Sequence, residues 1–127
     1  MKNKNIVFSE NAPKAVGPYS VGTSANGFVF LSGQLGMDPK TGQFADGGVE
    51  AQTKQALENI KNILADQGLR LGNIVKTTVF LKDIKDFSKM NAIYNGFFTS
   101  EFPARSAVQV AALPKDGLVE IEVIAAM

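Results

Sequence analysis

Only two stretches of this 127-residue chain carry helical periodicity, and that limits what it can fold into. The first runs from Val49 to Gln67, where Ala56, Leu57, Ile60, Ile63 and Leu64 recur at helical spacing and Gly68 suits the stop. The second runs from about Asp86 to about Ser100, with an apolar stripe of Phe87, Met90, Tyr94, Phe97 and Phe98. The other patterned segments read as strands. "IVFS" (6–9) is a short first strand, and "SVGTSA" and "FVFLSG" flank Asn26-Gly27, the strongest short hairpin signal. "NIVKTTVFLKD" (73–83) is β-branched and alternates. "ARSAVQVAAL" (104–113) and "GLVEIEVIAA" (117–126) are two further strands joined through "PKDG". The order is βββαβαββ, an α+β fold with a single mixed sheet and two helices packed on one face. No linker, repeat or low-complexity tract interrupts residues 1–127, so one domain is expected.

Two helices cover one face of such a sheet. Yet Phe28 and Phe30 alternate with Val29 and Leu31, and Phe80 opposes Val75, Val79 and Leu81. Large apolar groups therefore point both ways. The face without helices needs a partner, and a homo-oligomer is the expected solution.

Composition narrows the chemistry. The chain has no cysteine and no histidine, which excludes disulfides, thiolate chemistry and the usual zinc, copper and haem sites. No phosphate-binding glycine motif, dinucleotide fingerprint or G-x-S-x-G elbow is present despite twelve glycines. Proton transfer near neutrality falls to carboxylates, Lys, Tyr or water. A net charge of +1 shows no basic excess for nucleic acid. "MKNKNIVFS" lacks the apolar core of a signal peptide and no run approaches a membrane span, so a cytoplasmic protein is expected.

Two kinds of residue stand out. Eleven of the thirteen basic residues are lysine, yet arginine is used at position 105, just past Pro103 and beside Ala107, Val108 and Val110, which mark a buried strand. A guanidinium there suits a bidentate grip on a carboxylate. A structural ion pair with Glu120 or Glu122 accounts for it equally well. Those glutamates sit two apart in an apolar strand, so they share a face. If strands 105–112 and 118–125 pair as a hairpin, one of them approaches Arg105. Ser32, Tyr19 and Asn91 are polar residues at strand end, rigid loop and helix stripe, and each also has an ordinary structural role.

"APKAVGPYS", "LSGQLG", "NIVKTTVFLKD", "FFTSEFPARSAVQVAALPKD" and "VEIEVIA", in this order and over nearly the whole chain, resemble the Rid (reactive intermediate deaminase, YjgF-like) family, and within it the RidA branch. The resemblance implies a fold like that of the small trimeric chorismate mutases and a homotrimer with clefts between subunits. It implies hydrolysis of reactive enamines and imines, chiefly 2-aminoacrylate and 2-aminocrotonate, to 2-oxo acids and ammonia, without metal or cofactor. These substrates arise from pyridoxal-phosphate-dependent dehydratases acting on serine and threonine. Carried over by position, Arg105 clamps the substrate carboxylate and Glu120 activates water and returns a proton to the leaving ammonia. Tyr19, Ser32 and Asn91 fall on pocket positions, and backbone N–H groups near Gly33 and Ala107 help hold the ligand. Glu122 is structural in that pattern. The chain departs from it at Ala107, where the family usually has cysteine, and in a short segment before "FPARS". A 2-oxo acid-binding regulatory protein without catalysis is the alternative; a ribonuclease is disfavoured by the missing histidine and basic surface.

Overall fold

The computed structural model describes residues 3–127. Its elements are β1 (Asn5–Val7), β2 (Gly22–Ala25), β3 (Phe28–Leu35), α1 (Gly48–Asp66), β4 (Ile74–Leu81), α2 (Phe87–Phe97), β5 (Ala104–Gln109) and β6 (Val119–Ala126), in the expected order. Asn26 and Gly27 both have positive φ, at 52° and 84°, as a two-residue hairpin with the twist of its flanking strands requires.

The six strands form one sheet in the order β1-β2-β3-β6-β4-β5. All neighbours are antiparallel except β4 and β5, which run parallel with α2 as the crossover between them. The hairpin that the sequence allowed for the last two strands does not form. β6 lies between β3 and β4, and β5 pairs with β4 at the sheet edge. The physical reason lies in the two strands' faces. Val119, Ile121, Val123 and Ala125 give β6 a continuous apolar row that is fully covered only at the sheet's centre. β5 has no comparable row, and residues 110–118 give the chain length enough to pass β4.

One face packs on the helices. Leu57, Ile60, Ile63 and Leu64 of α1 and Met90 of α2 are fully buried against Val29, Leu31, Val79, Leu81 and the β6 row. The other face is open in the single chain, with Phe28 and Phe30 42% and 41% exposed and their ring centroids 6.4 Å apart. Two sequence expectations need correction here. Val75 does not stand with Val79 and Leu81; a register shift between Ile74 and Lys76 leaves it exposed. Nor is β5 buried: Val108 is 44% exposed, because an edge strand has one neighbour only.

A second irregularity lies in the β3–β6 pair. Between Leu31 and Gln34 β3 advances three residues while β6 advances two, from Val123 to Ile121. The extra residue is a bulge, and Ser32 and Gly33 sit at it. No helix among the described residues is long and apolar enough to cross a membrane.

Candidate active site

The sequence-selected residues gather into two clusters on opposite faces of the sheet. The first is built on β5 and α2. Arg105 stands opposite Thr77 in the parallel β4–β5 pair, and Thr77 is fully buried on the helix side. Its guanidinium therefore lies under α2, where Nη1 donates a hydrogen bond to Asn91 Oδ1 at 2.8 Å. Arg105 Cζ is 4.6 Å from the Tyr94 ring centroid and 5.4 Å from that of Phe87. A cleft of about 350 Å³ opens beside it, lined by Asn91, Tyr94, Asn95, Phe102, Pro103 and Arg105. Ala107 follows two residues on, half-buried and on the same side of β5.

The only ion pair among the described residues joins Lys82 to Asp116, far from Arg105 in the sheet. The pair with Glu120 or Glu122 that the sequence left open is thus not formed. The guanidinium is held by an amide oxygen and two aromatic rings, all neutral. Of its five N–H groups one is used, and the rest make no hydrogen bond to the described residues.

The second cluster surrounds Glu120 on the open face, opposite Phe80 of β4 and Leu35 of β3. The bulge brings Gly33 beneath the carboxyl group. A Cβ on Gly33 would lie 2.8 Å from both Cδ and Oε2 of Glu120, so only glycine leaves the carboxylate where it is. Burial, and after it the charge of Glu122 on the same strand face, holds the Glu120 carboxyl above its ordinary pKa. Tyr19, Val21, Gly33, Leu35, Met37 and Glu120 are among the walls of a cavity of about 320 Å³. Ser32 sits behind it. Its hydroxyl donates to the Ser20 carbonyl at 2.6 Å and its N–H to the Val21 carbonyl at 2.9 Å. Ser32 therefore fastens the loop carrying Tyr19 to the bulge carrying Gly33.

Several contributors were not legible in the chain alone. Tyr94 and Phe87 read as core stripe, and only the parallel placement of β5 shows that they also face Arg105. The buried amides of α1 also contribute. Asn59 Nδ2 donates to the carbonyls of Leu35 and Met37, at 3.3 and 2.9 Å, and holds the cavity wall. Gln52 Oε1 accepts the Leu118 N–H at 2.9 Å and fixes the approach to β6. A polar residue in a helix stripe, as at positions 52 and 59, is the one hint such anchors leave.

Such a protein is a small mixed-sheet domain that carries a guanidinium braced by an amide oxygen and two aromatic rings and, separately, a half-buried carboxyl group held above its ordinary pKa. Residues 9–127 match the model of the family described as Endoribonuclease L-PSP, and the chain belongs to that family, to which the Rid proteins it resembles in sequence also belong. The 2-iminobutanoate/2-iminopropanoate deaminase of Salmonella typhimurium is 53% identical over 122 residues, covering 94% of each chain. The crystal structure of RidA from the Antarctic bacterium Psychrobacter sp. superposes with a TM-score of 0.93 at 43% identity, over 97% of this chain and 99% of that one. That of Escherichia coli TdcF with bound serine does so with a TM-score of 0.92 at 43% identity, over 97% and 98%.

Proposed function

We propose that this chain hydrolyses 2-imino acids and their enamine tautomers, such as 2-aminoacrylate and 2-aminocrotonate, to 2-oxo acids and ammonia. The observation that carries the reading is the ordered guanidinium of Arg105 with no carboxylate of its own. In this reading it takes the substrate carboxylate in a bidentate grip, and Asn91 keeps the fork in plane. Orientation of this kind lowers the entropic part of the barrier. The reaction is intrinsically fast in water, so little further stabilisation is required.

Glu120 supplies the proton chemistry. Its carboxylate form accepts a proton from water as the oxygen adds to the imine carbon, and the carboxyl group so formed returns that proton to the nitrogen, giving the carbinolamine. Glu120 then carries the hydroxyl proton of the carbinolamine to the same nitrogen as the C=O bond forms, the C–N bond breaks and ammonia leaves. Burial holds this carboxyl group above its ordinary pKa, which favours its role in returning the proton. Backbone N–H groups near Gly33 and Ala107 and the Tyr19 hydroxyl complete the ligand contacts.

In one chain Arg105 and Glu120 face opposite sides of the sheet, so the two halves of this site belong to different copies. A homotrimer joins them. An exposed β5 edge and the open face with Phe28 and Phe30 are the surfaces available for that contact. Residues 1–127 act as a single domain in the cytoplasm, beside the dehydratases that release such imines.

The test couples the protein to a serine or threonine dehydratase and follows imine loss with semicarbazide as trap. Accelerated loss is expected. Binding of 2-oxobutanoate without acceleration would instead make the chain a non-catalytic 2-oxo acid-binding regulator.

A further inference from the structure

We infer that Tyr94, with Phe87 beside it, is a positioning residue for Arg105: an aromatic bracket on α2 that orders the guanidinium before any ligand arrives. The inference rests on the reading of Arg105 as the carboxylate grip.

Helical periodicity accounts for Tyr94 as a core residue, and it is only 3% exposed. Burial obliges its hydroxyl to find a partner but does not choose which one. The partner is Thr77 Oγ1, at 2.8 Å, and Thr77 is the residue directly opposite Arg105 in the β4–β5 register. The ring is thus tied at its far end to the strand beside the arginine and presented to the guanidinium at 4.6 Å. Phe87, Asn91 and Tyr94 are spaced i, i+4 and i+7, so they share one face of α2. That face meets the guanidinium with two rings and one amide oxygen.

The arrangement has a physical purpose. An arginine side chain is rich in rotamers, and ordering it at the moment of binding costs affinity. A neighbouring carboxylate would order it too, but would occupy the N–H groups and cancel the charge the ligand needs. Aromatic faces attract the cation through their quadrupole while leaving its edge free. Tyr94 also feels the charge in return. Burial raises its phenol pKa, while the Thr77 hydrogen bond and Arg105 pull it the other way.

The test uses three variants in the coupled imine assay, with 2-oxobutanoate affinity measured by calorimetry. Tyr94→Met fills the space without a ring, Tyr94→Phe keeps the ring without the hydroxyl, and Phe87→Leu removes the more distant ring. Tyr94 orders the guanidinium before binding and Arg105 itself remains to orient the bound substrate, so loss of the ring raises KM and leaves kcat within about twofold. For Tyr94→Met, KM and the Kd of 2-oxobutanoate should both rise by roughly 2- to 30-fold, the worth of a partly desolvated cation–aromatic contact. Tyr94→Phe should restore most of the loss, and Phe87→Leu should show a smaller rise of the same kind.

A packing role predicts the opposite split: kcat falls with the folded fraction and KM stays. Folded Tyr94→Met with wild-type KM and Kd overturns the inference. If that variant does not fold, Phe87→Leu decides, and unchanged KM and Kd there overturn it as well. The underlying reading fails separately. Arg105→Lys with unaltered 2-oxobutanoate affinity removes the grip and the bracket together. A wild-type protein that binds 2-oxobutanoate without imine turnover removes the catalysis, while a weakened Kd in Tyr94→Met would still uphold the bracket.

Discussion

Gly33→Ala tests whether the place of the Glu120 carboxyl matters to the chemistry. Gly33 does not adopt positive φ, so alanine imposes no backbone strain and retains the N–H. The added Cβ, however, would lie 2.8 Å from Cδ and Oε2 of Glu120 and 3.0 Å from Cγ. Ordinary contacts of this kind begin near 3.4 Å, so the carboxyl group must retreat by at least the difference, about 0.6 Å, from two of its atoms at once. The strand backbone of β6 is held by β3 and β4 on both sides and cannot give. The side chain must therefore rotate, at a cost of about 0.5–1.5 kcal/mol if it leaves its staggered well. A rotation of that size at the Glu120 χ angles carries the oxygens about 1 Å or more, and a misplacement of that order costs about 10²-fold in rate. Stability should fall by no more than the rotamer cost, so the variant should fold. The assay is imine turnover in the wild-type and Glu120→Gln backgrounds. If Gly33→Ala acts through Glu120, its effect should shrink to a few-fold once the catalytic carboxylate is gone. Turnover within a few-fold of wild type in Gly33→Ala, or equal losses in both backgrounds, would refute the reasoning.

Arg105→Lys keeps the charge but loses the planar fork and its Asn91 partner, and nearly complete loss of activity with an intact fold is expected; close to full activity would remove Arg105 from the site. Glu120→Gln should lower the rate by about 10²–10⁴ while 2-oxobutanoate binding is largely retained, whereas Glu122→Gln should affect stability more than rate, and equal turnover losses at the two positions would sink the assignment. In the single chain the folded Glu120 pKa is raised above 4.5, so the folded state holds this proton more tightly than the unfolded one. Its contribution to stability is then full below 4.5 and is lost as pH rises through the raised value, and Glu120→Gln should gain on wild type across that window in denaturant titrations. Sedimentation equilibrium should show a trimer, and a stable monomer at micromolar concentration that still turns over imine would contradict the division of the site between copies.

The sequence by itself settled the local matters. Period-3.6 stripes placed α1 and α2, alternation placed the strands, and Asn26-Gly27 placed the hairpin, because each of these depends on neighbours a few residues away. The same alternation showed that Glu120 and Glu122 share a face and that Phe28 and Phe30 point away from Val29 and Leu31; only the structure says that the phenylalanines are the pair on the open face. What periodicity cannot carry is which strand pairs with which. β5 and β6 are consecutive and joined by a short connection, so local pattern left a hairpin open to them. Only competition for the covered centre of the sheet put β6 between β3 and β4 and sent β5 to the edge. That one non-local decision brought Arg105 under Tyr94 and Phe87 instead of beside a glutamate, and it set the arginine and the carboxylate on opposite faces. The β3 bulge that seats Gly33 against Glu120 is equally invisible in the chain, since a bulge is a mismatch between two strands and exists only once they are paired.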